Sequence, residues 1–487
     1  LSDDERRRLL LRHTHAELAA TLGYDDLTAI DPGHPFKELG LDSFTAVELG
    51  NRLSTATGVR LPPSALFDHE NLTALVEYLH SELVGGSPSA VGPAPAVVDF
   101  DAEIRLASDV VPPTGARLAA AGDVREVFLT GATGFVGAFL LREIMRSTEA
   151  RVHCLVRADD EAAGFDRLRA ALTGYRLWDE IDAARVRVVV GDLSLPGLGL
   201  TPETSDALAR AVDVIYHVGA DVNWLRPYAA LKAANVTGTE EVLRLATRYR
   251  AVPVHYLSSN GVFSRRAEHG GPLAPTDPAG PGSRLLTGYT QSKYVAERMI
   301  DIARSRGLPV TVYRSDAVCG DQVNGACQTR DFVWLSLKGG LQAKALPSDA
   351  DALLGLVPVD YVAAAMMRLS LTPSAAGRTF HLQNRKPVSF RGIANRLRAT
   401  GHQLDDMPWD DFVAAVRADR DNALFPVIDV FSTFMRLGEA SHVPLDVTGT
   451  EEALAGSGIA CPEIGVELLD LYARFFAESD YFPAGQS

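Results

Sequence analysis

The fold is decided by the stretch Val127-Phe128-Leu129-Thr130-Gly131-Ala132-Thr133-Gly134-Phe135-Val136-Gly137. It is an apolar run that ends in glycines spaced three residues apart and leads into a helical pattern. Glycines permit a tight turn and let backbone N–H groups reach a pyrophosphate, so this strand–turn–helix order predicts a dinucleotide site. We expect that site to use Thr130, Gly131, Thr133, Gly134, Phe135, Val136 and Gly137.

Strand and helix patterns alternate after this turn. Further strands are predicted at 152–156, 186–190, 214–217, 255–258 and 310–313. Alternation of this kind is typical of a Rossmann-like α/β domain, a parallel sheet with helices on both faces, which we place at residues 98–387. Residues 388–487 are mostly helical in pattern. We predict that they form a smaller C-terminal substrate-binding cap with aromatic residues in its core.

Residues 1–84 predict a separate, small all-α four-helix bundle. Apolar residues recur at helical spacing over 5–22, 43–53 and 72–83, and a short piece lies near Leu61. Residues 85–97 are rich in Gly, Pro, Ser and Ala and are expected to form a flexible linker. Residues 98–122 regain apolar and charged residues, so we expect them to pack on the domain that follows.

Composition narrows the classes of function. The chain has 487 residues, 46% of them hydrophobic, and a net charge of −15, which argues against nucleic acid as a partner. No apolar run reaches about 20 residues, so we expect no membrane partner and a cytoplasmic location. The four cysteines are scattered, and we expect no metal site. Because residue 1 is Leu, we expect a piece of a longer protein.

The second predicted strand ends in Cys154-Leu155-Val156-Arg157. An acid at this place, about 20 residues beyond the glycines, would bind the ribose 2′-hydroxyl of NAD. A forked, permanently charged guanidinium suits a 2′-phosphate instead. Arg157 therefore favours NADPH over NADH.

A second motif, Gly288-Tyr289-Thr290-Gln291-Ser292-Lys293, predicts catalysis. Tyr289 and Lys293 are four residues apart and share one helix face, where an ammonium can stabilise a phenolate. Together with the glycine spacing, the pair resembles the extended short-chain dehydrogenase/reductase family. The resemblance implies that Lys293 also binds the nicotinamide ribose and that the Ser259 hydroxyl binds the substrate carbonyl oxygen, while Ser258 caps backbone groups.

The same resemblance implies further nucleotide contacts. Members of the family place the adenine ring and the nicotinamide ribose at the ends of two other strands, and thioester reductase domains carry a second phosphate-binding arginine. These contacts fall on Arg167, Asp192, Leu193, Gly219 and Ala220. The stretch Leu356-Val357-Pro358-Val359-Asp360 also recurs in the family and is expected to be architectural.

The N-terminal motif Phe36-Lys37-Glu38-Leu39-Gly40-Leu41-Asp42-Ser43-Phe44-Thr45-Ala46-Val47-Glu48-Leu49 closely resembles the acyl carrier domains of modular type I polyketide synthases. The resemblance covers residues 5–84. It implies that a phosphopantetheinyl transferase attaches 4′-phosphopantetheine to Ser43, whose thiol then carries an acyl thioester. A helix N-terminus suits the phosphodiester, since its free N–H groups favour negative charge.

The carrier–reductase order resembles the end of a polyketide assembly line with a terminal thioester reductase. It implies upstream synthase domains as partners and NADPH-dependent release of the thioester as an aldehyde, or as an alcohol after a second reduction. Three alternatives remain: part of a carboxylic acid reductase, a sugar-nucleotide epimerase or dehydratase, and a redox-inactive domain that cyclises its substrate or only docks.

Overall fold

The structure is a computed structural model that describes residues 3–22, 30–36, 39, 49, 53, 56–57, 59, 69, 71–84, 98–113, 124–264 and 271–482. Ser43 and the linker 85–97 lie outside the described residues. Among the described residues, no helix is long and apolar enough to cross a membrane. Within the same ranges, no group of His, Cys, Asp and Glu could hold a metal ion.

The described part of the N-terminal domain contains the helices Asp3–Leu22 and Leu72–Val84, which confirms two of the predicted helices. They share a small apolar core with buried residues from the segments between them. This core consists of Leu18, Ala19, Ile30, Phe36, Leu49, Leu53, Leu72, Leu75 and Leu79. Most of the predicted helix at 43–53 lies outside the described residues, so the four-helix bundle stays a prediction.

The strands of residues 124–482 follow in chain order. They are β1 (Glu126–Thr130), β2 (Arg151–Val156), β3 (Val186–Val190), β4 (Val214–His217), β5 (Val254–Ser259), β6 (Val310–Ser315), β7 (Ala317–Cys319), β8 (Ala345–Pro347), β9 (Leu353–Leu354), β10 (Leu356–Pro358), β11 (Thr379–Leu382), β12 (Val388–Ser389) and β13 (Asp405–Met407). Among them, a seven-stranded parallel sheet has the order β11-β6-β5-β4-β1-β2-β3. Every predicted strand is confirmed, whereas β11 was not predicted.

Helices cover both faces of this sheet. They are Phe135–Ser147, Glu161–Gly174, Pro202–Ala211, Tyr228–Lys232, Gly238–Thr247, Gly288–Ser305 and Val359–Ser370, and a π-helical segment at Ala233–Thr237 joins two of them. The helix Phe332–Ala343 packs instead with the C-terminal helices described below. Alternate residues of a strand point to opposite faces. Val127 and Leu129 accordingly belong to one apolar core and Phe128 to the other. The expected two-faced α/β domain is therefore confirmed.

Residues 98–113 pack on this domain, as expected for their part of 98–122. Their short helix Phe100–Glu103 brings the Phe100 ring against Tyr228, with 5.3 Å between centroids. The Arg306 guanidinium donates hydrogen bonds to the carbonyl groups of Leu106 and Ala107. The chain therefore contacts the α/β domain before β1 begins.

Residues 388–482 are mostly helical, with helices at Phe390–Ala399, Trp409–Ala418, Ile428–Arg436, Thr448–Leu454 and Val466–Glu478. They also pack against residues that lie earlier in the chain. β13 pairs with β8, β12 pairs with β9, and the Trp334 ring lies 5.8 Å from Tyr472. Residues 332–354, which precede the expected boundary at 387, thus pack with the C-terminal helices. The aromatic residues are largely core, as expected, although Phe425 and Phe434 are only half-buried.

Candidate active site

The glycine turn is too tightly packed for side chains. Gly131 has φ +82°, the left-handed region that favours glycine. A Cβ on Gly137 would lie 2.0 Å from the Gly131 carbonyl oxygen, and one on Gly131 would lie 2.6 Å from the Gly219 amide nitrogen. The start of the helix and the loop after β4 therefore approach β1 backbone to backbone.

The helix that follows presents its N-terminus at this turn. Gly134 is exposed and is the N-cap of the helix Phe135–Ser147, and no described side chain caps it. Thr133 and Val136 are half-buried, while the Phe135 ring is turned inward against Phe139. Uncapped N–H groups at a helix start bind anions, so the turn fits a nucleotide pyrophosphate.

The Thr130 side chain links the glycine turn to the residues that follow β4. Its buried hydroxyl lies 2.7 Å from His217 Nδ1 and accepts a hydrogen bond from the Gly219 amide at 3.1 Å. Burial, with the positive charge of Lys293, lowers the pKa of His217 to about 3, so this imidazole is neutral. The Thr130 side chain is therefore engaged inside the protein.

Sequence reasoning missed the buried network that continues from this imidazole. His217 Nε2 lies 3.0 Å from the Thr239 hydroxyl, which donates to the Asn235 carbonyl at 2.7 Å. Asn235 Nδ2 donates to the Ser292 hydroxyl at 2.9 Å, and Ser292 donates to the Tyr289 carbonyl at 2.7 Å. The network therefore links the glycine turn to the helix that carries Tyr289. The only signal in the sequence was polar residues inside apolar strand and helix patterns.

The two arginines proposed for phosphate binding lie together. Arg157 is exposed at the end of β2, and Arg167 Nη1 donates to its carbonyl oxygen at 2.9 Å. Burial and the charge of Arg157 lower the pKa of Arg167, while Asp192 raises it. Neighbouring guanidinium groups repel each other, and a phosphate dianion would relieve that repulsion.

Asp192 and Leu193 shape the loop after β3. The Asp192 carboxylate accepts hydrogen bonds from the amide and the hydroxyl of Ser194 at 2.7 and 2.8 Å. A Cβ on Gly219 would lie 2.8 Å from Leu193 Cδ1. The loop therefore lies against Gly219, whose neighbour Ala220 is half-buried. These residues line the same edge of the sheet as the glycine turn.

Ser259 ends β5 and faces the start of the next helix. Its hydroxyl accepts a hydrogen bond from the Gly261 amide at 3.0 Å and caps a short turn. A Cβ on Gly261 would lie 2.6 Å from Thr290 Cγ2, so this turn packs on the residue after Tyr289. The helix Gly288–Ser305 begins there because Thr287 and Thr290 form a capping box.

Tyr289 and Lys293 lie one turn apart on that helix. The Lys293 ammonium is buried, donates to the Leu257 carbonyl at 2.7 Å and sits 4.5 Å over the Tyr256 ring. Burial lowers the pKa of Lys293 to about 7 although Glu297 raises it, and burial raises the pKa of Tyr289. The structure thus gathers Ser259, Tyr289 and Lys293 on neighbouring elements at the carboxyl edge of the sheet.

Ser258 differs from its expected role. Its hydroxyl donates to the Glu297 carboxylate, which also accepts hydrogen bonds from Arg314 at 2.8 and 3.0 Å. Its hydroxyl is one of the several donors that this buried carboxylate needs. We expected Asp360 to have a structural role, and its contacts fit that expectation. Its carboxylate accepts hydrogen bonds from the amide and side chain of Gln322.

A second missed contact supports the Ser259 turn. Asn260 donates to the buried Asp316 carboxylate, and Gln383 donates to the same oxygen at 3.1 Å. Burial raises the pKa of Asp316 to about 7, which these donors counteract. A Cβ on Gly355 would lie 2.0 Å from Asp316 Oδ2, so only glycine fits there.

Known proteins match both parts of the chain. Residues 129–366 match the male sterility protein family, and residues 15–79 match the phosphopantetheine attachment site. The crystal structure of the terminal R domain from the myxalamid PKS-NRPS pathway is 38% identical, with a TM-score of 0.75, and the match covers 80% of this chain and all of that one. A thiolation-reductase di-domain from an archaeal non-ribosomal peptide synthetase shares the fold at 20% identity and a TM-score of 0.64, over 98% of both chains.

A linear gramicidin synthase from Brevibacillus parabrevis is 35% identical over 476 residues, which are 94% of this chain. The chain spans 9% of the length of that relative, and matches to two further relatives cover about a third of theirs. The glycine turn, the Tyr–Lys helix and the full-length match to an R domain all indicate the same family. The chain therefore belongs to the family of terminal reductase domains of the extended short-chain dehydrogenase/reductase type, joined to a phosphopantetheine attachment domain.

Proposed function

We propose that the chain releases an acyl group, held as a thioester on the phosphopantetheine arm of Ser43, by NADPH-dependent reduction to an aldehyde. The observation that carries this proposal is the buried hydrogen-bond network from Thr130 to Tyr289, which connects the glycine turn to the helix of Tyr289 and Lys293, in a chain that also has an attachment domain. A carrier protein alone would not need the Tyr–Lys pair, and a nucleotide-binding domain alone would not need the attachment domain.

The cofactor would be held along the carboxyl edge of the sheet. The turn from Gly131 to Gly137 offers its backbone N–H groups to the pyrophosphate. Arg157 and Arg167 offer guanidinium groups to a 2′-phosphate, which is the basis for NADPH rather than NADH. Asp192 with Leu193 would border the adenine end of the site, and Gly219 with Ala220 would border the nicotinamide end.

When bound, NADPH supplies a hydride for the thioester carbonyl carbon. Tyr289 gives its phenolic proton to the carbonyl oxygen, while the Ser259 hydroxyl donates a hydrogen bond to it. Lys293 stabilises the phenolate that remains, which burial alone would disfavour. The resulting hemithioacetal breaks its carbon–sulfur bond as its hydroxyl loses a proton and the departing sulfur gains one. An aldehyde leaves, and the thiol stays on the arm.

The upstream partner would be an assembly-line synthetase. The relatives reported above come from peptide synthetases or from a hybrid polyketide–peptide pathway. We therefore propose a peptide or hybrid synthetase, and the narrower assignment to a type I polyketide synthase rests on the motif around Ser43. A phosphopantetheinyl transferase would modify Ser43 before loading.

The test is to modify the purified chain with a phosphopantetheinyl transferase, load it with an octanoyl group and add NADPH. We expect octanal or octanol, with NADPH oxidised in proportion. A Ser43→Ala chain, which cannot be loaded, should give neither. Octanoyl groups that stay on the arm, or leave as octanoic acid, without NADPH oxidation would contradict the proposal and favour the redox-inactive alternative.

A further inference from the structure

Exposed apolar side chains lie on the two segments that flank Tyr289. Leu286, just before the helix that carries Tyr289, is 74% exposed, and Val222 and Trp224 on the loop after β4 are 60% and 40% exposed. That loop packs on the same helix, because a Cβ on Gly288 would lie 2.4 Å from the Arg226 carbonyl oxygen. Large apolar side chains left in water beside a reactive group indicate a ligand surface.

Three aromatic rings continue from the phenol into the protein. The Trp224 ring lies 6.5 Å from the Tyr289 ring and 5.6 Å from the Phe332 ring, and Phe332 lies 5.6 Å from Phe434. We call Trp224, Phe332 and Phe434 the ring run. Phe332 begins the helix Phe332–Ala343, and Phe434 lies on the helix Ile428–Arg436. The ring run therefore leads from the reactive phenol to the C-terminal helices.

The polar neighbours of these rings are engaged elsewhere. Asp221 forms an ion pair with Arg226, and the Asn223 side chain accepts hydrogen bonds from two backbone amides of its own loop. The Asp331 carboxylate accepts a hydrogen bond from the Val333 amide and caps its helix. These groups are satisfied locally, so the ring run offers mainly apolar surface.

We propose that the ring run binds the apolar part of the acyl chain, and that this reductase therefore prefers long or aromatic acyl groups to short or polar ones. The inference rests on the proposed function, which places the thioester carbonyl at the Tyr289 hydroxyl. The carbons next to that carbonyl then lie nearest Trp224, and a longer chain continues toward Phe332 and Phe434.

Burial along the run favours an inserted chain over a docked protein. Trp224 is 40% exposed, whereas Phe332 is only 7% exposed and Phe434 is half-buried. A protein docking on this side would need rings that are open to solvent throughout. A flexible acyl chain can pass an exposed first ring and reach covered ones.

The test measures binding without chemistry. S-butyl and S-octyl pantetheine, thioethers that cannot be reduced, are titrated calorimetrically into the full chain saturated with NADP⁺. Each buried methylene contributes a factor of about four, so we expect the octyl compound to bind at least tenfold more tightly. Trp224→Ala should weaken both compounds, and Phe434→Ala should weaken the octyl compound alone. Tyr249→Ala, which removes an equally exposed aromatic ring on another loop, should change neither.

Equal affinity of the wild-type chain for both thioethers would overturn the inference. So would a Trp224→Ala or Phe434→Ala chain that is folded by circular dichroism and keeps the wild-type affinities. If Trp224→Ala slows reduction of the carrier-loaded substrate but leaves thioether binding unchanged, the ring contacts the carrier and the inference is wrong. Tight octyl binding without any NADPH-dependent product would refute the proposed function and leave the ring run as the acyl site.

Discussion

The Lys293 ammonium donates a hydrogen bond to the Leu257 carbonyl oxygen, with 2.7 Å between the two atoms. Leu257 lies on β5, two residues before Ser259, so one strand positions both the ammonium and the proposed carbonyl-binding hydroxyl. The contact also explains how a lysine can be buried on an apolar helix face, because the carbonyl partly replaces the lost water.

Removing the Tyr289 hydroxyl should stop reduction without disturbing the site. Tyr289→Phe keeps the ring beside Trp224 and loses only the proton donor, so we expect the rate of aldehyde formation to fall about 10²–10⁴-fold. The affinity for NADPH, measured by fluorescence titration, should stay near the wild-type value. Tyr294→Phe on the same helix is the matched control and should keep its activity. Wild-type turnover by Tyr289→Phe would show that another group donates the proton.

Lys293 should make activity and stability respond to pH in opposite ways. Its folded-state pKa is about 7, against 10.5 for an ordinary lysine. Between these values the unfolded chain binds more protons, so this group makes the free energy of unfolding rise with pH. Over the same range the site loses its ammonium, and kcat/KM should fall.

Urea unfolding and initial rates at pH 7 and pH 9 measure both effects. In Lys293→Met the contribution of this residue to the pH dependence of stability should disappear. An identical pH dependence of stability in the variant and the wild type would mean that Lys293 titrates normally.

Cofactor choice should depend on the two neighbouring arginines. Arg157→Ala and Arg167→Ala each remove a guanidinium group from the proposed 2′-phosphate site, so we expect KM for NADPH to rise about tenfold or more, given charged hydrogen bonds of roughly 1.5–3 kcal/mol. KM for NADH should change little. Arg169→Ala, on the same helix but paired with Asp166, serves as the control. A parallel loss for both nucleotides would remove the argument for NADPH.

A single methyl group should close the nucleotide turn. In Gly137→Ala the new Cβ would meet the Gly131 carbonyl oxygen at 2.0 Å, and backbone cannot move aside cheaply. We expect destabilisation of about 1–3 kcal/mol in thermal or urea unfolding and a large loss of NADPH affinity. Gly174→Ala, where a Cβ meets nothing within 4 Å, should leave NADPH affinity unchanged. Normal cofactor affinity in Gly137→Ala would place the nucleotide elsewhere.

Sequence patterns alone predicted the strands up to β6, the glycine turn and the spacing of Tyr289 and Lys293. Each is a local property: side-chain period, backbone conformation at glycine, or one turn of helix. β11 was missed because a four-residue edge strand after a helix has no pattern that distinguishes it from a loop. The packing of residues 332–354 with the C-terminal helices was also missed, since nothing local indicates which layer a segment joins.

Contacts between distant residues were decided by the tertiary structure. Thr130 and His217 are 87 positions apart, and Asn260 and Asp316 are 56 apart, yet each pair forms a hydrogen bond beside the proposed site. The ring run is a further example, because the rings of Trp224, Phe332 and Phe434 contact one another although they lie on three separate segments. The sequence by itself determined which chemistry-bearing residues the chain contains and which of them share a strand or a helix. Only folding decided their partners, because burial forces polar groups to pair and rings to pack with whatever the sheet brings within reach.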